Sequence, residues 1–282
     1  VHLSRWLGVV TAMKLVTPVC DGGSTIDLAR TRVMPQRPAQ YNKRFHPIVM
    51  ALGALPMQQE LVETKVPLIE AYIRDNHLNR VHWSDASGPV GIVTSGKSFV
   101  DVDQALQLLG TRVPTLHLRV SWPLDAEGIR RFATEQGLET VIVVEEPGPF
   151  VEEGVKAALL GVEGVRAVYG ERDATGATLI PSFGEVDPEV LAQRLAPYLR
   201  TGAIAAVALT RFEQIASRRF RPVPAVSPMS CGGCPYNVFR DLKGEKPGGA
   251  IGCSSIRAIG AYDDGVRYIP TMGAGGSIYS GT

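Results

Sequence analysis

No run of apolar residues approaches the roughly 18 that a helix needs to cross a bilayer, so no membrane span is expected. Charge of one sign is also missing: 29 Lys and Arg stand against 28 Asp and Glu, a net charge of +1. There is therefore no global field to draw nucleic acid or an anionic membrane. The one short basic run, Arg218-Arg219-Phe220-Arg221, reads as a solvated linker. The first residues lack the basic, apolar and small-residue order of a secretory signal. Four unevenly placed cysteines make no disulfide framework, which favours a reducing, cytoplasmic setting. Histidine runs out at His117, leaving no imidazole in the second half as a metal ligand.

What remains is ordinary globular material, 45% apolar and 20% charged over 282 residues, enough for two domains. The N-terminal stretch has helical spacing at Leu3, Leu7, Val10 and Met13, with a short strand possible over Lys14 to Val19 before the Asp21-Gly22-Gly23-Ser24 turn. Cys20 beside that turn has no partner spacing and reads as a structural or incidental thiol. The Arg- and Pro-rich residues 31–46 look like an extended connection. Met57 to Arg74 has a helical period that Pro67 interrupts, giving two short helices or one kinked helix. Neither His77 nor His82 belongs to a metal-ligand motif, and both read as surface or packing residues.

Residues 88–199 form the clearest domain. Strands are expected at Val90 to Thr94, Thr115 to Val120, Thr140 to Val144 and Gly164 to Tyr169, alternating with helices around Val102 to Leu109, Ile129 to Ala133, Phe150 to Leu160 and Pro188 to Ala196. Strand and helix alternating through short connections describe an open, mostly parallel α/β sheet. Gly91-Ile92-Val93-Thr94-Ser95-Gly96-Lys97-Ser98 fits the G-x4-G-K-[ST] pattern of a phosphate loop, but a phosphate loop follows its strand and here Ile92-Val93 lie in it. A plain strand-to-helix turn is expected instead. Glu145-Glu146 end the third strand, where α/β sheets place ligands, so they either contact a ligand or subunit or form a surface edge. The change of composition over Thr201 to Pro228 marks a domain boundary.

Beyond it lies the densest chemistry. Cys231, Cys234 and Cys253 supply three soft thiolates, each beside a glycine that lets the backbone come close to a bound centre. Zinc or a [4Fe–4S] cluster would want a fourth ligand, from Cys20, another chain or more distant sequence. A zinc-stabilised binding or scaffold protein is the alternative to an electron-carrying enzyme. Gly273-Ala274-Gly275-Gly276-Ser277 either starts a helix whose free N–H groups face a phosphate or makes a flexible turn.

Met50-Ala51-Leu52-Gly53-Ala54-Leu55, Gly91 to Gly96, Val143 to Glu146 with Pro149-Phe150, Cys231 to Asn237, Ile251-Gly252-Cys253 and Thr271-Met272-Gly273 together resemble the middle of a 2-oxoacid:ferredoxin oxidoreductase, closest to the long fused indolepyruvate type. The resemblance implies that residues 1–45 are the tail of a pyrimidine-binding thiamin domain, 46–87 a helical connector, and 88–200 an α/β domain of transketolase C-terminal-like type. Residues 201–226 would be a linker, and 227–282 the start of a diphosphate-binding thiamin domain. Such enzymes oxidatively decarboxylate a 2-oxoacid to an acyl-CoA, using thiamin diphosphate, magnesium and iron–sulfur clusters, with coenzyme A and ferredoxin as partners, and work as homo-oligomers. By the same resemblance Cys231, Cys234 and Cys253 are cluster ligands, while Tyr236, Gly252, Met272, Gly273 and Ala274 lie by the thiamin diphosphate. Tyr236 stands where close relatives commonly have histidine. The family's magnesium segment and catalytic glutamate find no match in these residues. With its opening on Val1 and its end within a glycine-rich turn, the chain is expected to be an internal fragment, inactive alone.

Overall fold

The computed structural model describes residues 1–28, 34–43, 53–86 and 88–199, with Thr210 and Gln214. The chain divides into two units, Val1–Arg218 and Arg219–Thr282. All described residues belong to the first.

Among them, five strands form one sheet. In chain order they are β1 (Arg80–His82), β2 (Val90–Ser95), β3 (Thr115–Leu118), β4 (Thr140–Val144) and β5 (Ala167–Tyr169), arranged as β1-β3-β2-β4-β5. β2, β3, β4 and β5 run parallel, and β1 pairs antiparallel with β3 at the edge, Val81 opposite Leu116. This is the open, mostly parallel α/β sheet expected from the alternation of strand and helix.

Side chains leave a strand alternately to its two faces, and both faces of this sheet are covered. Ile92, Ile142 and Val144 pack on one side with Val102, Leu106, Leu191 and Leu195. Those partners come from two helices, α5 (Ser98–Leu109) and α8 (Pro188–Leu195). Val93, Val141 and Val143 pack on the other side with Ile129, Phe132, Val151 and Val155, from α6 (Ala126–Glu135) and α7 (Phe150–Leu159). This double cover explains why β4 is an uninterrupted Val/Ile run: Val141 to Val144 are each at most 1% exposed. At about 1.5–3 kcal/mol per fully buried side chain, that run anchors the sheet. Gly91 in β2 lies against buried Leu138, whose side chain fills the space that a Cβ would take.

The helices start and stop for local reasons. Asp125 caps α6 by accepting from the Gly128 N–H at 3.0 Å, and Asp187 caps α8 by accepting from the Glu189 N–H at 2.8 Å. α5 ends on Gly110 at φ +64°, a left-handed stop suited to glycine.

The N-terminal segment departs from expectation. Helix α1 (His2–Leu7) stops at Gly8, φ +65°, instead of continuing towards Met13. No strand forms over Lys14 to Val19, because Pro18 opens a short helix, α2 (Thr17–Asp21). Around Pro67 the expected interruption takes the form of two short helices joined without a gap. α3 (Ala54–Glu60) runs through a π-helical turn, Leu61–Lys65, into α4 (Val66–Asp75), with Pro67 in its first turn. A wider turn just before proline accommodates its missing N–H and its ring. Trp6 and Leu7 of α1 pack on Ile69, Tyr72 and Ile73 of α4 as a small separate core.

Candidate functional site

β2 and β4 are neighbours whose following helices leave to opposite faces, α5 to one and α7 to the other. That divergence opens a crevice at the carboxyl ends of the two strands, the usual ligand position in open α/β sheets. Here the crevice is filled by the protein's own charges. Lys97, two residues past β2, places Nζ 3.2 Å from Asp101, 3.6 Å from Glu146 and 3.2 Å from Glu185. It also donates to the Val186 carbonyl at 3.2 Å. Glu146 in turn accepts from the Val186 N–H at 3.1 Å. Residues 170–187, which follow β5, thus form a strap fixed across the sheet's carboxyl end, with Leu179, Ile180 and Val186 buried in the core beneath it.

Burial alone would lower the Lys97 ammonium, but the Asp101 and Glu185 carboxylates outweigh it and hold its pKa above the ordinary lysine range. Asp101 is raised, first by burial and further by Glu146 and Glu185, against the opposing pull of Lys97. Three carboxylates around one ammonium leave an excess of negative charge, hostile to a phosphate. Gly91 to Thr94 also lie inside β2. The phosphate-loop pattern is therefore a strand, a turn and an ion-pair hub.

Glu145 and Glu146 have separate tasks. Glu146 holds the strap. Glu145, 8% exposed, accepts from the Val151 and Glu152 N–H groups, each at 2.8 Å, and so closes the N-terminus of α7. Burial raises its pKa, against those two bonds. Glu152 is buried as well, accepting from the Glu171 N–H at 2.7 Å and from Lys156 at 2.5 Å. Between Glu145 and Glu152 lies a cavity of about 10 Å³, room for one water and no cofactor. The pair expected to face a ligand or form a surface edge instead ties two helices and a strap together. Sequence reading missed the hub because Glu185 lies 88 residues from Lys97. Only the Lys97–Asp101 pair, four apart across the start of α5, carried a local signal.

Cys231, Cys234, Cys253, Tyr236, Gly252, Met272, Gly273 and Ala274 lie outside the described residues. Cys20, on α2, is a free exposed thiol. Among the described residues, no group of three or more His, Cys, Asp or Glu side chains could hold a metal ion, and no helix is long and apolar enough to cross a membrane.

Residues 80–219 match the indolepyruvate oxidoreductase domain. Over these residues the chain carries a domain of the 2-oxoacid:ferredoxin oxidoreductase family. It is 31% identical over 240 residues to the indolepyruvate oxidoreductase subunit IorA of Methanothermobacter marburgensis, covering 84% of this chain and 36% of that protein. The corresponding subunit of Methanothermobacter thermautotrophicus is 28% identical over 196 residues, covering 70% and 29%. The chain thus spans about a third of the length of these relatives. Among solved structures, the 2-oxoglutarate:ferredoxin oxidoreductase of Magnetococcus marinus aligns with a TM-score of 0.37 at 16% identity, over 55% of this chain and 24% of the other. A split-gene transketolase, described as an inactive β4 tetramer, aligns at 0.28 and 18% identity, over 49% and 42%.

Proposed function

We propose that the chain is the central section of an indolepyruvate-type 2-oxoacid oxidoreductase, which oxidatively decarboxylates an indolepyruvate-like acid to an acyl-CoA in the cytoplasm and passes electrons to ferredoxin. The observation that carries this reading is the match of residues 80–219 to the indolepyruvate oxidoreductase domain. In it, Cys231, Cys234 and Cys253 hold a [4Fe–4S] cluster, and Tyr236, Gly252, Met272, Gly273 and Ala274 line thiamin diphosphate with its magnesium. Three thiolates suit a soft iron–sulfur centre, and glycines beside them admit a close backbone approach. When bound, thiamin diphosphate supplies the electron sink for decarboxylation and the cluster takes electrons one at a time.

The α/β unit contributes rigidity. Its carboxyl-end crevice, the position where such a sheet would bind a ligand, is closed by Lys97 and the strap. In this reading the unit does structural work within a homo-oligomer, and two partial thiamin-domain segments flank it in sequence. These segments are the tail of a pyrimidine-binding thiamin domain over 1–45, with its connector over 46–87, and the start of a diphosphate-binding domain from 227.

The test is turnover by the complete gene product, purified without oxygen and supplied with thiamin diphosphate and magnesium. Indolepyruvate should reduce ferredoxin or a viologen dye only when coenzyme A is present. No reduction with any aryl or alkyl 2-oxoacid would overturn the proposal.

A further inference from the structure

At the edge of the sheet opposite the strap, three rings meet. Phe99 of α5 stacks on His117 of β3, with centroids 4.4 Å apart and planes 5° apart. It also lies 4.4 Å from His82 of β1, and the two imidazoles are 6.2 Å apart. Trp83 closes the group, stacked 6.0 Å from Phe99. Strand register explains the meeting: His82 sits opposite Thr115, and Arg80 opposite His117, so His82 and His117 share the face that α5 covers. Nε2 of His82 and both ring nitrogens of His117 are buried without a well-formed hydrogen bond.

We propose that His82, Phe99 and His117 form an acid-sensitive clasp that holds edge strand β1 on the sheet and opens before the rest of the fold. The clasp closes on neutral rings, because burial takes the imidazoles out of water and so disfavours their charged form. The charged neighbours reinforce this. Arg119, just past β3, and Arg80 on β1 oppose a proton on either ring, and His82 opposes one on His117. Only Asp103 of α5, facing His82, and the Gly96 backbone, facing His117, favour protonation. Burial is the largest influence on both, and it carries His117 down to about 4.

The direction follows from linkage. Opened, the rings return to their ordinary value near 6.5 and bind protons that the closed clasp rejects. Closure is therefore complete above about pH 6.5 and weakens as pH falls towards 4, where the native ring also protonates. β1 is the element that yields, being three residues long and paired on one side only.

Hydrogen exchange on the 282-residue chain tests this, read as protection factors so that the intrinsic pH dependence of exchange cancels. Between pH 7.5 and 5, protection in the β1–β3 ladder should fall about 30-fold from His117 alone, while the β2–β4 ladder holds. His117→Phe and His82→Phe keep a ring in the stack and remove its proton, and each should shrink the fall. The proposal is overturned if β1–β3 protection is flat to pH 5, if β2–β4 falls in step with it, or if the drop persists undiminished in both variants.

Discussion

Glu145 shows how one side chain is diverted from a ligand to the fold. Both carboxylate oxygens are engaged, each by one N–H at the start of α7, and the group is buried. Glu145→Ala would leave those donors without acceptors, and we expect a loss of about 1–2 kcal/mol in urea unfolding. Glu145→Gln keeps an acceptor and should cost less. The pH dependence separates the charge from the bonds. Burial raises the folded pKa of Glu145, so its proton-linked contribution is fully present below the ordinary carboxylate value and is lost as pH rises through the raised one. Glu145→Gln has no such proton, and its stability relative to the parent should rise between about pH 4 and 7. A constant difference across that range would contradict the assignment.

Among the elements, the strap of residues 170–187 depends most on a single contact point. Lys97→Met removes the cation shared by Asp101, Glu146 and Glu185 and leaves two buried or half-buried carboxylates facing each other. Because Lys97 and Glu146 are only partly buried, we expect about 2 kcal/mol rather than the full penalty of a buried pair. Exchange should quicken in the strap while β4 stays protected, and equal quickening in both would mean that the hub serves the whole sheet. The strap itself was not legible in the sequence. β2, β3, β4 and their helices were, because double burial writes itself as Val/Ile runs between amphipathic helices. Three-residue β1 was missed, since its pairing comes from β3 and not from any alternation of its own. The N-terminal helix was read too long because apolar spacing continued past Gly8, where the backbone turns left-handed. Of the site, the cysteines stood out by spacing alone. The closing of the sheet's carboxyl end did not, because it joins Lys97 to residues that meet only in the fold.

For the whole molecule, the α/β unit is a closed block, and the proposed redox chemistry rests on residues beyond it. Its crevice is sealed by its own charges, the small cavity beside Glu145 has room for one water and no more, and its described side chains offer no metal site. A chain spanning about a third of its relatives' length, with three closely spaced cysteines in its second unit, carries the electron-transfer claim in those cysteines. The most direct measurement is iron and acid-labile sulfide, with the low-temperature EPR spectrum of the reduced protein, on the complete gene product purified without oxygen. This should be made on the parent and on Cys231→Ser, Cys234→Ser and Cys253→Ser. The account predicts iron and sulfide in equal amounts in the parent and the loss of one and the same cluster signal in all three variants. Zinc in place of iron, or an unchanged set of cluster signals in the three variants, would contradict it.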